Sequence, residues 1–329
     1  MFTLKIKEIQ EPGIECFEVA EIGGIKQALY FRGENLDNPV ILYLHGGPGS
    51  PAMSMLHDYQ YPLEKFFTIV HWDQRNAGKT FFLNDPEEIV KDLSFEQVLG
   101  DAYEVTNYVR KRLSKDKIIL LGHSWGSVLG SALVQTYPQL FCAYIGVGQV
   151  VNMYENERVG YEILLEKAKK AGKAKDIEAI EALAPYPTKF DDGFPKQIMA
   201  VRKWQAKYDL AATISLKNLW SLLRSPFYNR KEKSYYFKDI LNYQEPLLRY
   251  LLENYEIRDY GVNYEMPVFY IFGDKDFQTP HPLGREFFDE ILSPKKEFFL
   301  LANAGHNTMH DDSIGFNRIL VEKIRPLLQ

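Results

Sequence analysis

Apolar and polar residues alternate along residues 3–10, 15–21 and 27–32, and Gly23-Gly24 separates the second run from the third. Period-two alternation predicts strands, and a glycine pair between two of them predicts a tight hairpin. Four short apolar runs follow, at 40–44, 67–72, 118–121 and 142–147. Such runs, bounded by turn residues, suit strands covered on both faces. Between them, residues 95–113 and 125–137 carry apolar positions at helical spacing. Strands alternating with helices predict an α/β fold with a mostly parallel central sheet.

The alternation stops near residue 154. From there to 263 the chain is rich in Lys, Glu, Ala, Leu and Tyr at helical spacing, without a strand-like run. Strand character returns at 267–272 and 297–301, and a last helix is expected over 313–327. The pattern therefore predicts one catalytic domain built from residues 1–153 and 264–329, with a helical cap, 154–263, inserted late in its sheet. The cap is read as a lid over a site, an ordinary helical subdomain being the alternative. Its Trp204 and Trp220 are candidates for lining that site.

The 329 residues carry a formal charge of −5, with no basic cluster of the kind that binds nucleic acid or a membrane surface. Cys16 and Cys142 are the only cysteines and neither lies in a CxxC pair, so a structural zinc is not expected. Residues 1–10 lack the basic start and apolar core of a secretory signal, and no run approaches a membrane span. A reducing cytoplasm is the expected compartment.

Gly122-His123-Ser124-Trp125-Gly126 matches G-x-S-x-G between a predicted strand and a predicted helix. In that setting the glycines permit a strained turn that lifts a nucleophilic serine above the sheet. The helix behind it directs its N-terminus at developing negative charge. His45-Gly46-Gly47-Pro48-Gly49 follows an earlier strand and is suited to supply a second oxyanion donor. Gly47 and Trp125 are the candidate donors, with Gly46 as the alternative. His45 is placed to brace this loop.

A base should follow the last strand, and His306 does, with His310 as its competitor. An acid should follow the preceding strand. Asp276 is preferred because the turn after Gly273 lets it swing towards His306; Asp274 is the alternative. The order Ser124, Asp276, His306 is that of serine hydrolases on such a sheet. Ala77-Gly78-Lys79-Thr80 imitates the end of a phosphate-binding loop, but Asp73 stands where that motif needs glycine and no helix is expected after Lys79.

Taken together, His45-Gly46-Gly47-Pro48-Gly49, Asp73 to Thr80 and Gly122 to Ser127 resemble the proline iminopeptidase family of α/β-hydrolases. The resemblance implies an α/β-hydrolase fold with an inserted helical cap, acyl-enzyme chemistry without metal or organic cofactor, and a short peptide or other small molecule as substrate. The chain departs from the family at Asn76 and His123, where glycine is usual, and after Trp204, where Gln205-Ala206-Lys207 replaces the expected acidic segment. Glu155, Glu157, Glu162 and Asp209 are the cap carboxylates that could anchor a substrate amine. A carboxylesterase or general amidase is the alternative reading, and a non-catalytic binding protein on the same fold the rival of another class.

Overall fold

The computed structural model describes residues 3–188, 193–210, 216–238 and 240–328. The outermost residues of the expected catalytic domain (1–2 and 329), and 189–192, 211–215 and 239 of the expected cap, lie outside the described residues.

Eight strands form one sheet: β1 (Ile14–Ile22), β2 (Ile25–Gly33), β3 (Val40–Leu44), β4 (Thr68–Asp73), β5 (Ile118–His123), β6 (Phe141–Val147), β7 (Val268–Gly273) and β8 (Lys296–Leu301). Their order across the sheet is β1-β2-β4-β3-β5-β6-β7-β8. β2 is antiparallel to both β1 and β4, and the other pairings are parallel. Gly23 and Gly24 take φ of 55° and 76°, which fits a two-residue turn to the strand twist.

Alternate residues of each central strand serve two different cores. Leu42, Leu44, Val70, Trp72 and Leu120 pack with Val98, Val105, Trp125 and Val128, from the helices Phe95–Arg112 and Trp125–Thr136. Ile41, Tyr43, Ile69 and Ile119 pack on the other face with Phe316, Leu320 and Ile324 near the C-terminus. With apolar layers on both faces, these strands keep scarcely a polar position, and this explains their continuous apolar runs.

Between β6 and β7 the described residues form helices and turns without a ladder strand. The Met153–Lys170 helix is capped by Asn152, whose side chain accepts the Glu155 N–H at 2.9 Å. Tyr161, Leu164, Ile180 and Val201 make a separate apolar core in this block. The Ile240–Glu253 helix is different: Leu247 and Leu251 join the core of the sheet, and Tyr250 stacks on Phe95 with ring centroids 4.2 Å apart.

Three expectations need correction. Residues 3–10 form no strand; they are held at separate points, with Leu4 N–H donating to Arg224 O and Arg32 Nη2 to Lys7 O. A helix does follow the phosphate-loop imitation, at Gly78–Leu83, although Lys79 is already committed to Glu232 at 2.7 Å. The C-terminal helix is α only over Ser313–Arg318, and continues as a π turn and a 3-10 turn. Among the described residues no helix is long and apolar enough to cross a membrane.

Candidate active site

Ser124 is the single residue between β5 and the Trp125–Thr136 helix, at φ 54° and ψ −121°. A side-chain-bearing residue in this region costs on the order of 1–3 kcal/mol and persists only when its surroundings fix it. Main-chain bonds do so here. Ser124 N–H donates to Val147 O at 2.9 Å, and Ser124 O accepts the Ser127 N–H at 2.7 Å and the Ser127 hydroxyl at 2.6 Å. The flanking glycines are dictated by contact: a Cβ at Gly122 would collide with Gly126 O, and one at Gly126 with Leu44 O. Strand, helix and the neighbouring β3 meet more closely than any side chain permits.

Asp276 and His306 sit on the loops after β7 and β8. His306 Nδ1 lies 2.9 Å from Asp276 Oδ2. The carboxylate is fully buried and saturated: Oδ1 accepts the N–H groups of Gln278 and Thr279 at 3.1 and 3.0 Å, and Oδ2 also accepts the Thr279 hydroxyl at 2.8 Å. Burial alone would raise its pKa. The His306 charge and hydrogen bond, with the Thr279 donors, outweigh burial and hold it below the ordinary carboxylate value. Gly148, just past the Ser124 acceptor Val147, brings β6 against this pair; a Cβ there would lie 3.2 Å from Asp276 Oδ2 and 3.4 Å from His306 Cε1.

The alternative acid and base do not meet in this way. Asp274 donates its N–H to Leu301 O, and the carboxylate that meets His306 is that of Asp276. His310 Nδ1 is 3.6 Å from Asp58. His45 uses both ring nitrogens, Nδ1 at 2.9 Å from Gly46 O and Nε2 accepting the Gln74 N–H at 3.2 Å, and burial lowers its pKa to about 4. It braces the 45–49 loop. Gly46 lies against the elbow, where a Cβ would be 3.2 Å from Ser124 Cβ. Trp125, as the first helical residue, has an N–H without an intrahelical acceptor.

Several supporting residues carried no assigned role in the sequence. Gln74 links the two candidate oxyanion segments, because its Nε2 donates to His45 O at 3.3 Å and its Oε1 accepts the Trp125 indole N–H at 3.0 Å. His123 Nε2 lies 3.0 Å from His306 O, and burial, then the nearby His306, lowers its pKa to about 3. Neutral His123 therefore ties the elbow to the loop of the base. Thr279 had a usable signal: an Asp followed three residues later by Thr at a turn is a pattern in which the carboxylate caps its own backbone.

Asp73 is also fully buried. Its Oδ2 accepts the Tyr228 hydroxyl and the Lys79 N–H, yet burial dominates and raises its pKa to about 7. The unfolded chain releases this proton near pH 3.8. Native Asp73 is thus protonated, and unfolded Asp73 ionised, between about pH 4 and 7. Its contribution is fully present below that window and is lost as pH rises through the native pKa, by at most about 1.4 kcal/mol per unit. Asp73→Asn, which imitates the protonated acid, should flatten the fall in Tm between pH 5 and 7.5 relative to wild type. Equal slopes in both proteins would refute this assignment.

The expected cap contacts divide. Trp204 is half-buried and packs on the apolar core of the helical block, the core that Phe277, the neighbour of Asp276, also packs against. Trp220 is 56 % exposed. Glu155 and Glu162 pair with Arg158 near the surface, and Asp209 pairs with Lys275. Glu157 alone of the four is fully buried, and it is bonded to Arg202 and the Tyr186 hydroxyl. Burial opposes the Arg202 charge, but Glu157, with a smaller contribution from Asp276, raises its pKa.

A family model described as alpha/beta hydrolase fold matches residues 39–313. The probable aminopeptidase YbaC of Bacillus subtilis (strain 168) is 28% identical over 299 residues, covering 90% of this chain and 92% of its own. The proline iminopeptidase of Neisseria gonorrhoeae is 30% identical over 119 residues, 36% of this chain and 35% of its own. Among solved structures, a proline iminopeptidase-related protein of Thermus thermophilus aligns with a TM-score of 0.66 at 17% identity, covering 96% of this chain and 99% of its own. That last likeness speaks for the fold alone.

Proposed function

The chain belongs to the α/β hydrolase fold family, and from that premise we propose that it is a serine hydrolase of proline iminopeptidase-like type. It releases an N-terminal residue from short peptides, or cleaves small amides, through an acyl-enzyme. The observation that carries this reading is the buried Asp276–His306 pair packed against the strand end that holds the Ser124 elbow.

With Nδ1–H donated to Asp276, His306 keeps Nε2 as the acceptor for the Ser124 proton when Oγ attacks a carbonyl. The N–H groups of Gly47 and Trp125 receive the developing oxyanion; losing one such donor typically costs about 2.7–4 kcal/mol of barrier. His306 then protonates the leaving amine, and water releases the acyl group. Residues 154–263 act as the cap, with Trp204, on the same apolar core as Phe277, as a candidate wall. The free thiols Cys16 and Cys142 suit a reducing cytoplasm.

The names of the relatives support an aminopeptidase. One observation favours the esterase or amidase alternative: Glu157, the buried candidate for an amine anchor, is already neutralised by Arg202. The test joins covalent labelling with substrate comparison. A fluorophosphonate should label Ser124. Proline, alanine and leucine arylamides should exceed their N-acetylated forms in kcat/KM by about tenfold or more, the cost of leaving a buried polar partner unpaired. Equal turnover of blocked and free amides would replace the aminopeptidase with a general amidase, and turnover of p-nitrophenyl esters alone with an esterase. Neither labelling nor turnover would leave a binding protein.

A further inference from the structure

We infer that Tyr235, in the helical block, is a positioning residue for the oxyanion hole, with Gln244 as its partner. The inference rests on the serine-hydrolase reading and assigns a catalytic consequence to a contact between the inserted block and the 45–49 loop. Tyr235 is 1% exposed, and its hydroxyl lies 2.7 Å from Gly49 O and 3.1 Å from Asn76 O. Gln244, equally buried, donates from Nε2 to Arg75 O at 3.2 Å and Asn76 O at 3.1 Å.

These two side chains hold the loop that supplies Gly47 and the 75–76 stretch beside Gln74, the residue that bridges this loop to the Trp125 side chain. In the first, Ser50 N–H donates to Gly46 O at 3.0 Å and closes the loop, while Tyr235 fastens Gly49; Gly47 is suspended between the two fixed points. The loop is also backed by contact, since a Cβ on Gly49 would lie 2.8 Å from Ile240 Cγ2 and 2.9 Å from Gln244 Cγ. In the second, Arg75 and Asn76 follow Gln74, the residue that holds the Trp125 ring and the His45 carbonyl. The inserted block thus sets the spacing between the Gly47 and Trp125 N–H groups from behind, without itself touching substrate. Oxyanion donors act through placement relative to a charge that develops only in the transition state. A disturbance of the clamp should therefore appear in kcat rather than KM.

Tyr235→Phe removes the hydroxyl and keeps the ring on Phe81 and Tyr236. It should lower kcat about tenfold with KM within about twofold, because small misplacement of catalytic donors is costly. Tyr236→Phe is the control. It also loses a hydroxyl, on a half-buried ring, that is bonded to Pro51 O at 2.8 Å and to the Ser54 hydroxyl, and should lower Tm while kcat stays within about twofold. Gln244→Met should reproduce the Tyr235→Phe pattern. An unchanged kcat in a folded Tyr235→Phe protein, or equal losses in the two tyrosine variants, would overturn the inference. Failure of wild-type Ser124 to take a fluorophosphonate would instead remove the reading beneath it, so the two failures are distinguishable.

Discussion

Ser124→Ala is expected to lower kcat by about four orders of magnitude or more, the scale seen when a serine nucleophile is lost, while the fold and Tm stay close to wild type. The bonds that hold the elbow are main-chain ones: Ser124 N–H to Val147 O, and Ser124 O to the Ser127 N–H and hydroxyl. Alanine keeps the same Cβ, so the contacts with Gly46 are not altered. Fluorophosphonate labelling should vanish with the activity. A pure, folded Ser124→Ala protein that retains substantial turnover would show that the nucleophile lies elsewhere.

Much of the candidate site is legible in the sequence because its motifs are short and contiguous. Gly122 is needed for a reason confined to a few residues, the approach of Gly126 O, whereas Gly126 is needed because β3 brings Leu44 O against it; the motif shows both glycines even though only the first reason is local. The central strands were legible for a different reason: burial on both faces leaves Val40–Leu44 with no polar position. What the sequence withheld is tertiary. Alternation over residues 3–10 is what an edge strand would show, yet no neighbouring strand pairs with it. Gln74 and Tyr235 act across 51 and 186 residues of chain, distances over which one sequence gives no register. The buried Glu157 reads in the sequence like its half-buried neighbour Glu155 and its exposed neighbour Glu162; only the fold brings Arg202 and Tyr186 to it. The helical block was recognised from its period, but its fastening to the sheet through Leu247 and Leu251 follows from packing.

Asp276→Asn is expected to cost about 10⁴ in kcat, on the scale of an amide replacing the orienting carboxylate of such a triad, whereas Asp274→Asn should stay within about threefold. The surroundings force this outcome. The Gln278 and Thr279 N–H groups both point at Oδ1, so an asparagine must present its carbonyl there and turn its NH₂ to His306. Nδ1 would then accept rather than donate, and the proton would move to Nε2, the atom that must receive the Ser124 proton. The Thr279 hydroxyl, which donates to Oδ2 in the native protein, would have to reverse its role and could not restore the lost acceptor. Substrate binding does not depend on this tautomer, so KM should change far less than kcat. The carboxyl's lowered pKa gives a second readout. Its contribution to stability is present above the ordinary carboxylate value and is lost as pH falls through the native one, so wild-type Tm should drop more steeply than that of Asp276→Asn at acid pH. A large loss at Asp274 with Asp276→Asn close to wild type would move the acid to the other aspartate and leave the buried 276–306 pair as a structural contact.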